Sequence, residues 1–122
     1  MKKILIVDDQ LELRELVEVT LRLENYDISQ ATSGEEAIKM AKSDKFDLII
    51  MDIMMPGGMD GLQATRTIKD DPETNNCKII MLTAKGQAED KKKGVEAGAD
   101  DYFVKPFSPL ELISKVEEVL ES

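Results

Sequence analysis

Carboxylates follow two apolar segments of the chain, each at the point where the segment ends. The apolar residues 48–51 lead into Asp52, and the apolar residues 4–7 lead into Asp8 and Asp9. Apolar runs without alternation are typical of strands buried on both faces of a parallel sheet, and ligands bind at the carboxyl edge of such sheets. If the two strands are neighbours, three carboxylates converge there. Two charges about 5 Å apart repel by roughly 3 kcal/mol at an effective dielectric constant of about 20. We therefore expect a bound cation or phosphoryl group to offset the repulsion between these carboxylates.

Two further strand candidates end in residues that could act on a phosphoryl group. Residues 78–82 are followed by Thr83, and residues 101–104 are followed by Lys105. Mg²⁺ prefers carboxylates, waters and phosphate oxygens as ligands. An ionised aspartate can attack phosphorus, while a hydroxyl and an ammonium group hold the transferred oxygens. The residues alone therefore indicate Mg²⁺-assisted phosphoryl transfer onto Asp52.

The elements that position these residues alternate along the chain, which is typical of βαβ units around a parallel sheet. We predict strands at 3–7, 26–30, 47–52, 78–82 and 101–104, and helices at 10–24, 33–42, 60–69, 87–97 and from 108 onwards. The second strand is mixed in polarity, which indicates an edge position. The fourth helix is poor in apolar residues, so we expect Val95 and a few alanines to anchor it and its packing to be loose. The first helix carries five residues at the spacing of one helix face: Leu13, Leu16, Val17, Thr20 and Leu23.

Composition limits the classes of function. The 122 residues fit one domain, 1–122, and the net charge of −9 argues against direct binding of nucleic acid or of an anionic membrane surface. The sequence has neither a span-length apolar run nor the apolar core of a signal peptide. The single Cys77 favours a reducing cytoplasm, and the absence of histidine excludes His-ligated zinc and a histidine base on this chain.

Taken in order, the motifs resemble the receiver domain of two-component response regulators, especially the stand-alone chemotaxis type. The resemblance covers essentially the whole chain and implies a flavodoxin-like, doubly wound α/β fold. Its sheet would have five parallel strands in the order 2-1-3-4-5, with five helices on its two faces. The matching pieces are residues 7–9, Asp52 with 55–56 and 59–61, 83–84, 98–102 and 105–107.

The resemblance also implies a role for each acidic residue. Asp52 would accept a phosphoryl group from the phosphohistidine of a sensor histidine kinase or phosphotransfer protein. Asp8, Asp9 and Asp52 would hold Mg²⁺ together with the backbone carbonyl of Met54. The chain would transfer the group to itself and hydrolyse it slowly, without turning over an external substrate.

A switch follows from the same resemblance. Thr83 and Lys105 would contact the phosphoryl oxygens, and the Lys105–Pro106 peptide bond would be cis. Movement of Thr83 would let Tyr102 turn inward, changing the surface formed by the fourth helix, fifth strand and last helix. A downstream protein target would bind that surface, and the chain would be a monomer or a weak, phosphorylation-dependent dimer.

One loop of this chain departs from the usual receiver pattern, and three positions match those at which the family tunes hydrolysis of the acyl phosphate. Receiver domains usually have one residue between the proline and Met-Asp-Gly of this loop, whereas this chain has Gly57 and Gly58 there. The extra glycine leaves the start of the third helix open. Met54, Ala84 and Lys85 lie beside the acceptor and the hydroxyl, where the family tunes access of hydrolytic water.

Other functions remain as alternatives. A Mg²⁺-dependent phosphatase or phosphotransferase of the haloacid-dehalogenase type needs a second aspartate two residues after the nucleophile, where this chain has Met54. A flavin-binding electron carrier needs a phosphate-binding loop where Asp8 and Asp9 stand. A receiver used only as a scaffold would lack some of the acting residues. The chain could also be a fragment of a larger regulator with an output domain.

Overall fold

The structure of the chain is a computed structural model that describes residues 1–55, 58–84 and 88–121, with backbone only for 88–91. In this part of the chain the strands form one parallel sheet in the order β2-β1-β3-β4-β5. The strands are β1 (Lys3–Val7), β2 (Asp27–Ala31), β3 (Leu48–Asp52), β4 (Lys78–Ala84) and β5 (Asp101–Lys105). The helices are α1 (Leu11–Arg22), α2 (Gly34–Ser43), α3 (Gly61–Asp70), α4 (Ala88–Ala97) and α5 (Pro109–Glu121). The predicted fold class and strand order are confirmed.

Two apolar layers hold the sheet. Alternate residues of the central strands point to opposite faces, so each strand contributes to both layers. One layer packs the sheet against α1 and α5 and includes Ile6, Ile50 and Leu82, while the other packs it against α2 and α3 and includes Val7 and Met51. Every residue of β3 is buried. The strand ends are therefore held firmly by the core on either side of them.

Side-chain caps start three helices where the sequence predicts them. Ser33 accepts a hydrogen bond from the backbone N–H of Glu36 (3.1 Å), and Ser108 accepts one from Glu111 (3.2 Å). Asp60 and Gln63 form a reciprocal capping box at the start of α3. The reciprocal bond of a capping box is absent at Ser33, because the Glu36 carboxylate accepts from the N–H of Thr32 (2.7 Å) instead of that of Ser33.

The predicted buried face of α1 is partly wrong. Leu16 is 51% exposed and Leu23 is 78% exposed. Of the predicted residues the helix buries Val17 and Thr20, and it also buries Arg14 and Leu21. Positions 14, 17 and 21 are three and four residues apart and lie on one side of the helix, whereas position 16 is rotated about 100° from position 17. The many leucines of this helix concealed which side faces the sheet.

Val95 does not anchor α4, because it is 64% exposed. Among the residues of α4 whose burial is described, 92–97, Gly94 and Ala97 are buried. A Cβ atom at Gly94 would lie 3.3 Å from Cγ of Met81, so the helix axis lies close to β4 and admits only a small residue at that point. The predicted start of this helix at residue 87 lies outside the described residues. Within them, no helix is long and apolar enough to span a bilayer.

Candidate functional site

The carboxyl ends of β1 and β3 bring three aspartates together. The two strands are paired, with Val7 opposite Met51, so the residues that follow are neighbours. One carboxylate oxygen from each of Asp8, Asp9 and Asp52 lies within 4.8 Å of the others. Asp8 is fully buried, Asp52 is 4% exposed, and Asp9 is exposed to solvent. The convergence expected from the sequence is present, with one carboxylate open to solvent and two beneath it.

Lys105 reaches this cluster from the end of β5. Its Nζ atom lies 3.0 Å from Oδ1 of Asp52 and 3.8 Å from Oδ2 of Asp8. The peptide bond from Lys105 to Pro106 is cis, the geometry that the resemblance implies. One ammonium group therefore faces two buried carboxylates, which leaves the centre of the site with an excess of negative charge.

Two buried oxygen atoms at the site have no hydrogen-bond partner. They are Oδ2 of Asp8 and Oγ1 of Thr83, and no other buried side-chain nitrogen or oxygen of the described residues shares this state. An unsatisfied buried polar group costs about 1–3 kcal/mol. Both atoms lie at the carboxyl edge of the sheet, where a carboxylate oxygen can bind a cation and a hydroxyl can donate to a phosphoryl oxygen. The donor set fits Mg²⁺ and a phosphoryl group.

Burial shifts the acidity of the two inner aspartates. It raises the pKa of Asp8 to about 6, with the charge of Asp52 adding to the effect. The hydrogen bond from the N–H of Gln10 (2.8 Å) and the ammonium of Lys105 oppose this rise. Burial also raises the pKa of Asp52, against the ammonium of Lys105 and the backbone hydrogen bond from Met54. A divalent cation would favour the ionised form of both groups.

Gly61 lets the start of α3 approach the acceptor strand. Its N–H donates to the carbonyl of Ile53 (3.0 Å). A Cβ atom at Gly61 would overlap the backbone oxygen of Asp52 and lie 2.9 Å from Cα of Ile53. Sequence reasoning quoted this glycine only as part of a motif and missed its role. The available signal was a glycine directly after the N-cap Asp60, where a helix former is otherwise preferred.

The remaining predicted site residues are spread around the cluster. The side chains of Met54 and Ala84 are exposed, the former by 72%, and Lys85 lies outside the described residues. Tyr102 is 37% exposed and pairs across the sheet with Met81, two residues before Thr83. Since side chains alternate along strands, Tyr102 and Thr83 lie diagonally on the same face of the sheet.

Arg14 is a site residue that the sequence analysis missed. It is 8% exposed, and its Nη1 atom donates to the backbone oxygen of Asp8 (2.8 Å). The usable signal was its spacing, since it lies three residues before Val17 on the buried side of α1. A cation on an apolar helix face calls for a partner.

The fold and the site together define a flavodoxin-like α/β domain with an acidic cluster at the carboxyl edge of its sheet. The sequence model of the family described as "Response regulator receiver domain" matches residues 4–117. This chain therefore belongs to the response regulator receiver domain family, as the motifs predict.

Known proteins of this family align with nearly the whole chain. The transcriptional regulatory protein ResD of Bacillus subtilis (strain 168) is 47% identical over 118 residues, which are 97% of this chain and 48% of ResD. The chain spans about half the length of the curated relatives it matches.

Solved structures show the same fold. The chemotaxis response regulator CheY4 of Vibrio cholerae superposes with a TM-score of 0.91 at 34% identity, over 98% of each chain. The receiver domain of the sensor histidine kinase PA1611 from Pseudomonas aeruginosa PAO1 superposes with a TM-score of 0.90 at 31% identity, over 99% of this chain and 98% of that one. That crystal structure has a magnesium ion coordinated in the active site cleft.

Proposed function

We propose that this chain is a phosphorylation-controlled binding module in which Asp52 accepts a phosphoryl group from a sensor histidine kinase or phosphotransfer protein. The observation that carries the proposal is the position of Asp52. Its buried carboxylate has an oxygen within 4.8 Å of oxygens of two other aspartates, and Oδ1 is 3.0 Å from the ammonium of Lys105. An unpartnered hydroxyl, that of Thr83, lies on the next strand.

The acidic cluster would bind Mg²⁺. The carboxylates of Asp8, Asp9 and Asp52 and the backbone carbonyl of Met54 are the proposed ligands, a set of hard oxygen donors with a high negative charge. When bound, Mg²⁺ neutralises charge on the carboxylates and on the incoming phosphoryl oxygens. The unsatisfied Oδ2 of Asp8 supports this assignment, and so does the magnesium ion of the PA1611 receiver domain.

The chain's own groups then carry the transfer. An oxygen of Asp52 forms a bond to phosphorus while the N–P bond of the donor phosphohistidine breaks and its electron pair stays with the imidazole. The ammonium of Lys105 and the hydroxyl of Thr83 donate hydrogen bonds to the phosphoryl oxygens. Water later cleaves the acyl phosphate slowly, at a rate tuned by Met54, Ala84 and Lys85. No external substrate is turned over.

The output is a change of surface. The phosphoryl group draws the hydroxyl of Thr83 toward it, and Tyr102, on the same face of the sheet, turns inward. The surface of α4, β5 and α5 then binds a downstream protein target, or a second copy in a weak dimer. The net charge of −9 favours a protein rather than nucleic acid as the direct partner of these residues, which act in the cytoplasm.

Intact-protein mass tests the proposal. Wild type and Asp52→Asn are incubated with acetyl phosphate, with Mg²⁺ or with EDTA. With acetyl phosphate present, we expect wild type to gain the mass of one phosphoryl group in Mg²⁺ and to gain none in EDTA. An equal gain in Asp52→Asn would contradict Asp52 as the acceptor. Continuous release of phosphate from small phosphate esters would instead favour the phosphatase alternative.

A further inference from the structure

A buried arginine lies behind the acidic cluster. Arg14, on α1, directs its guanidinium group at the first strand–helix loop, where Nη1 donates to the backbone oxygen of Asp8 (2.8 Å). Its Nε atom donates to Oε1 of Gln30 on β2 (2.9 Å). The two donors of one rigid, planar group thus fix a loop residue and a strand residue relative to each other.

The hydrogen bonds continue from Gln30 to the surface. Nε2 of Gln30 donates to Oε1 of Glu18 (2.8 Å). The other oxygen of Glu18 accepts from Nε of Arg22 (3.0 Å), whose side chain is 65% exposed. The chain of contacts therefore runs from solvent on α1 to the backbone of Asp8.

Burying a guanidinium group costs desolvation free energy, which must be offset by the hydrogen bonds that the group makes. An apolar side chain of similar volume would pack at this position without desolvating a charge. A purely structural role, joining α1 to β2, would need only the bond to Gln30. The second hydrogen bond goes instead to the peptide group between Asp8 and Asp9. These two residues carry two of the three clustered carboxylates.

The other contacts of Asp8 show what this bond completes. The N–H of Asp8 donates to the carbonyl of Ala31 (3.2 Å), and its Oδ1 accepts from the N–H of Gln10 (2.8 Å). With the bond from Arg14 to its carbonyl, the backbone of Asp8 is held on both sides. One oxygen of its carboxylate accepts a hydrogen bond, and the other, which is 3.8 Å from the ammonium of Lys105, has no hydrogen-bond partner.

We propose that Arg14 is a positioning residue for the metal site. It holds the peptide between Asp8 and Asp9 so that both carboxylates meet that of Asp52. The inference rests on the proposed function, because it concerns the same site. Loss of a partner outside the ligand shell typically weakens metal affinity by about 10–100-fold, so a comparable loss is expected when the guanidinium is removed.

Isothermal titration with Mg²⁺ tests this role in wild type and three variants. Arg14→Met keeps the volume but removes both donors, and we expect the dissociation constant to rise by at least about tenfold. Arg14→Lys can reach one acceptor and should recover part of the affinity. Arg22→Met changes the exposed end of the network and should bind Mg²⁺ like wild type.

A second control separates positioning from general loosening of the helix. Val17→Ala removes buried apolar contacts from the same face of α1 without touching Asp8, so it should lower the free energy of unfolding and leave Mg²⁺ affinity unchanged. In metal-free protein, exchange of the Asp8 and Gln10 amides, which are hydrogen-bonded in this loop, should accelerate in Arg14→Met and not in Val17→Ala.

The outcomes are separable. If wild type binds Mg²⁺ and Arg14→Met binds it equally well, the positioning role is wrong while the metal site stands. Equal weakening by Val17→Ala would also overturn that role. If wild type itself does not bind Mg²⁺, the proposed metal site fails and the inference fails with it.

Discussion

The ammonium of Lys105 lies 3.0 Å from Oδ1 of Asp52, although the two residues come from strands that are not neighbours. Strand β4 runs between them, and Ala84 is the partner of Lys105. The lysine side chain must therefore cross the end of β4, where the small Ala84 leaves room. The long alkyl chain of Lys105 thus places a positive charge beside Asp52, a charge that β4, the strand adjacent to β3, does not supply there.

Removing that charge should separate metal binding from phosphoryl transfer. In Lys105→Met at pH 8 we expect Mg²⁺ to bind more tightly than in wild type, because a competing cation has been removed. Phosphorylation by acetyl phosphate should slow by at least about tenfold, since the ammonium no longer stabilises the transferred oxygens. Titration calorimetry and intact-protein mass measure the two effects. Lys115→Met, which breaks a contact with Asp101 elsewhere on the molecule, is the control.

The raised pKa of Asp8 predicts how stability depends on pH in metal-free protein. Asp8 has a pKa of about 6 in the folded state, against 3.8 for an ordinary aspartate, so ionisation between these values destabilises the fold. Asp8→Asn, whose amide oxygen can still accept from Gln10, should be more stable than wild type above pH 6. From the two pKa values, the free energy of unfolding of Asp8→Asn should exceed that of wild type by up to about 3 kcal/mol.

Urea unfolding in EDTA at several pH values measures that difference. We expect it to vanish below about pH 3, where Asp8 is protonated in both states, and to reach its full size by about pH 7. The carboxylates that do not interact with Asp8 are common to both proteins and cancel in the comparison. Asp52 interacts with Asp8, so its altered titration in the variant forms part of the measured difference. A difference that does not change with pH would contradict the assignment.

Thr83 should stabilise the phosphorylated protein and not the resting one. Its buried hydroxyl has no partner, so Thr83→Val should raise the free energy of unfolding by about 1 kcal/mol in the absence of Mg²⁺ and phosphodonor. The same variant should lose most of the stabilisation that beryllofluoride gives wild type. Thr65→Val is the matched control, because its buried hydroxyl already has a partner, the sulfur of Met81 (3.0 Å). That variant should be destabilised and should still respond to beryllofluoride.

Gly61 should be intolerant of a single methyl group. Gly61→Ala places a Cβ atom against the backbone of Asp52, and we expect a loss of at least about 2 kcal/mol in stability because backbone must move. Gly58→Ala, in the loop before α3, meets nothing among the described residues closer than a carboxylate oxygen of Glu35 at 3.9 Å and should be nearly neutral. Chemical unfolding of the two variants measures both values. Equal effects would show that the close approach at position 61 is not what limits substitution.

The strands and the acidic cluster were predictable because buried parallel strands have unbroken apolar runs, and the residues after such runs must lie at one edge. Helix faces were less predictable. Exposed leucines on α1 obscured its inner side, and the close packing of Gly94 on Met81 replaced the expected contact of Val95.

The roles of Gly61 and Arg14 depend on how closely separate elements approach in space. One is set by α3 meeting the backbone after β3, and the other by a side chain of α1 reaching the loop after β1. Neither distance has a periodic signature in the sequence. Residue types at strand ends can be interpreted directly, whereas residues that support them from behind require the structure.

The most direct test of the central claim is to locate the modified residue. Wild type is phosphorylated with acetyl phosphate and Mg²⁺, reduced with borohydride so that an acyl phosphate becomes an alcohol, digested, and analysed by peptide mass spectrometry. Homoserine at position 52, dependent on both phosphodonor and Mg²⁺, is the predicted result. Reduction at Asp8 or Asp9 with position 52 unchanged would contradict the assignment of Asp52 as the acceptor.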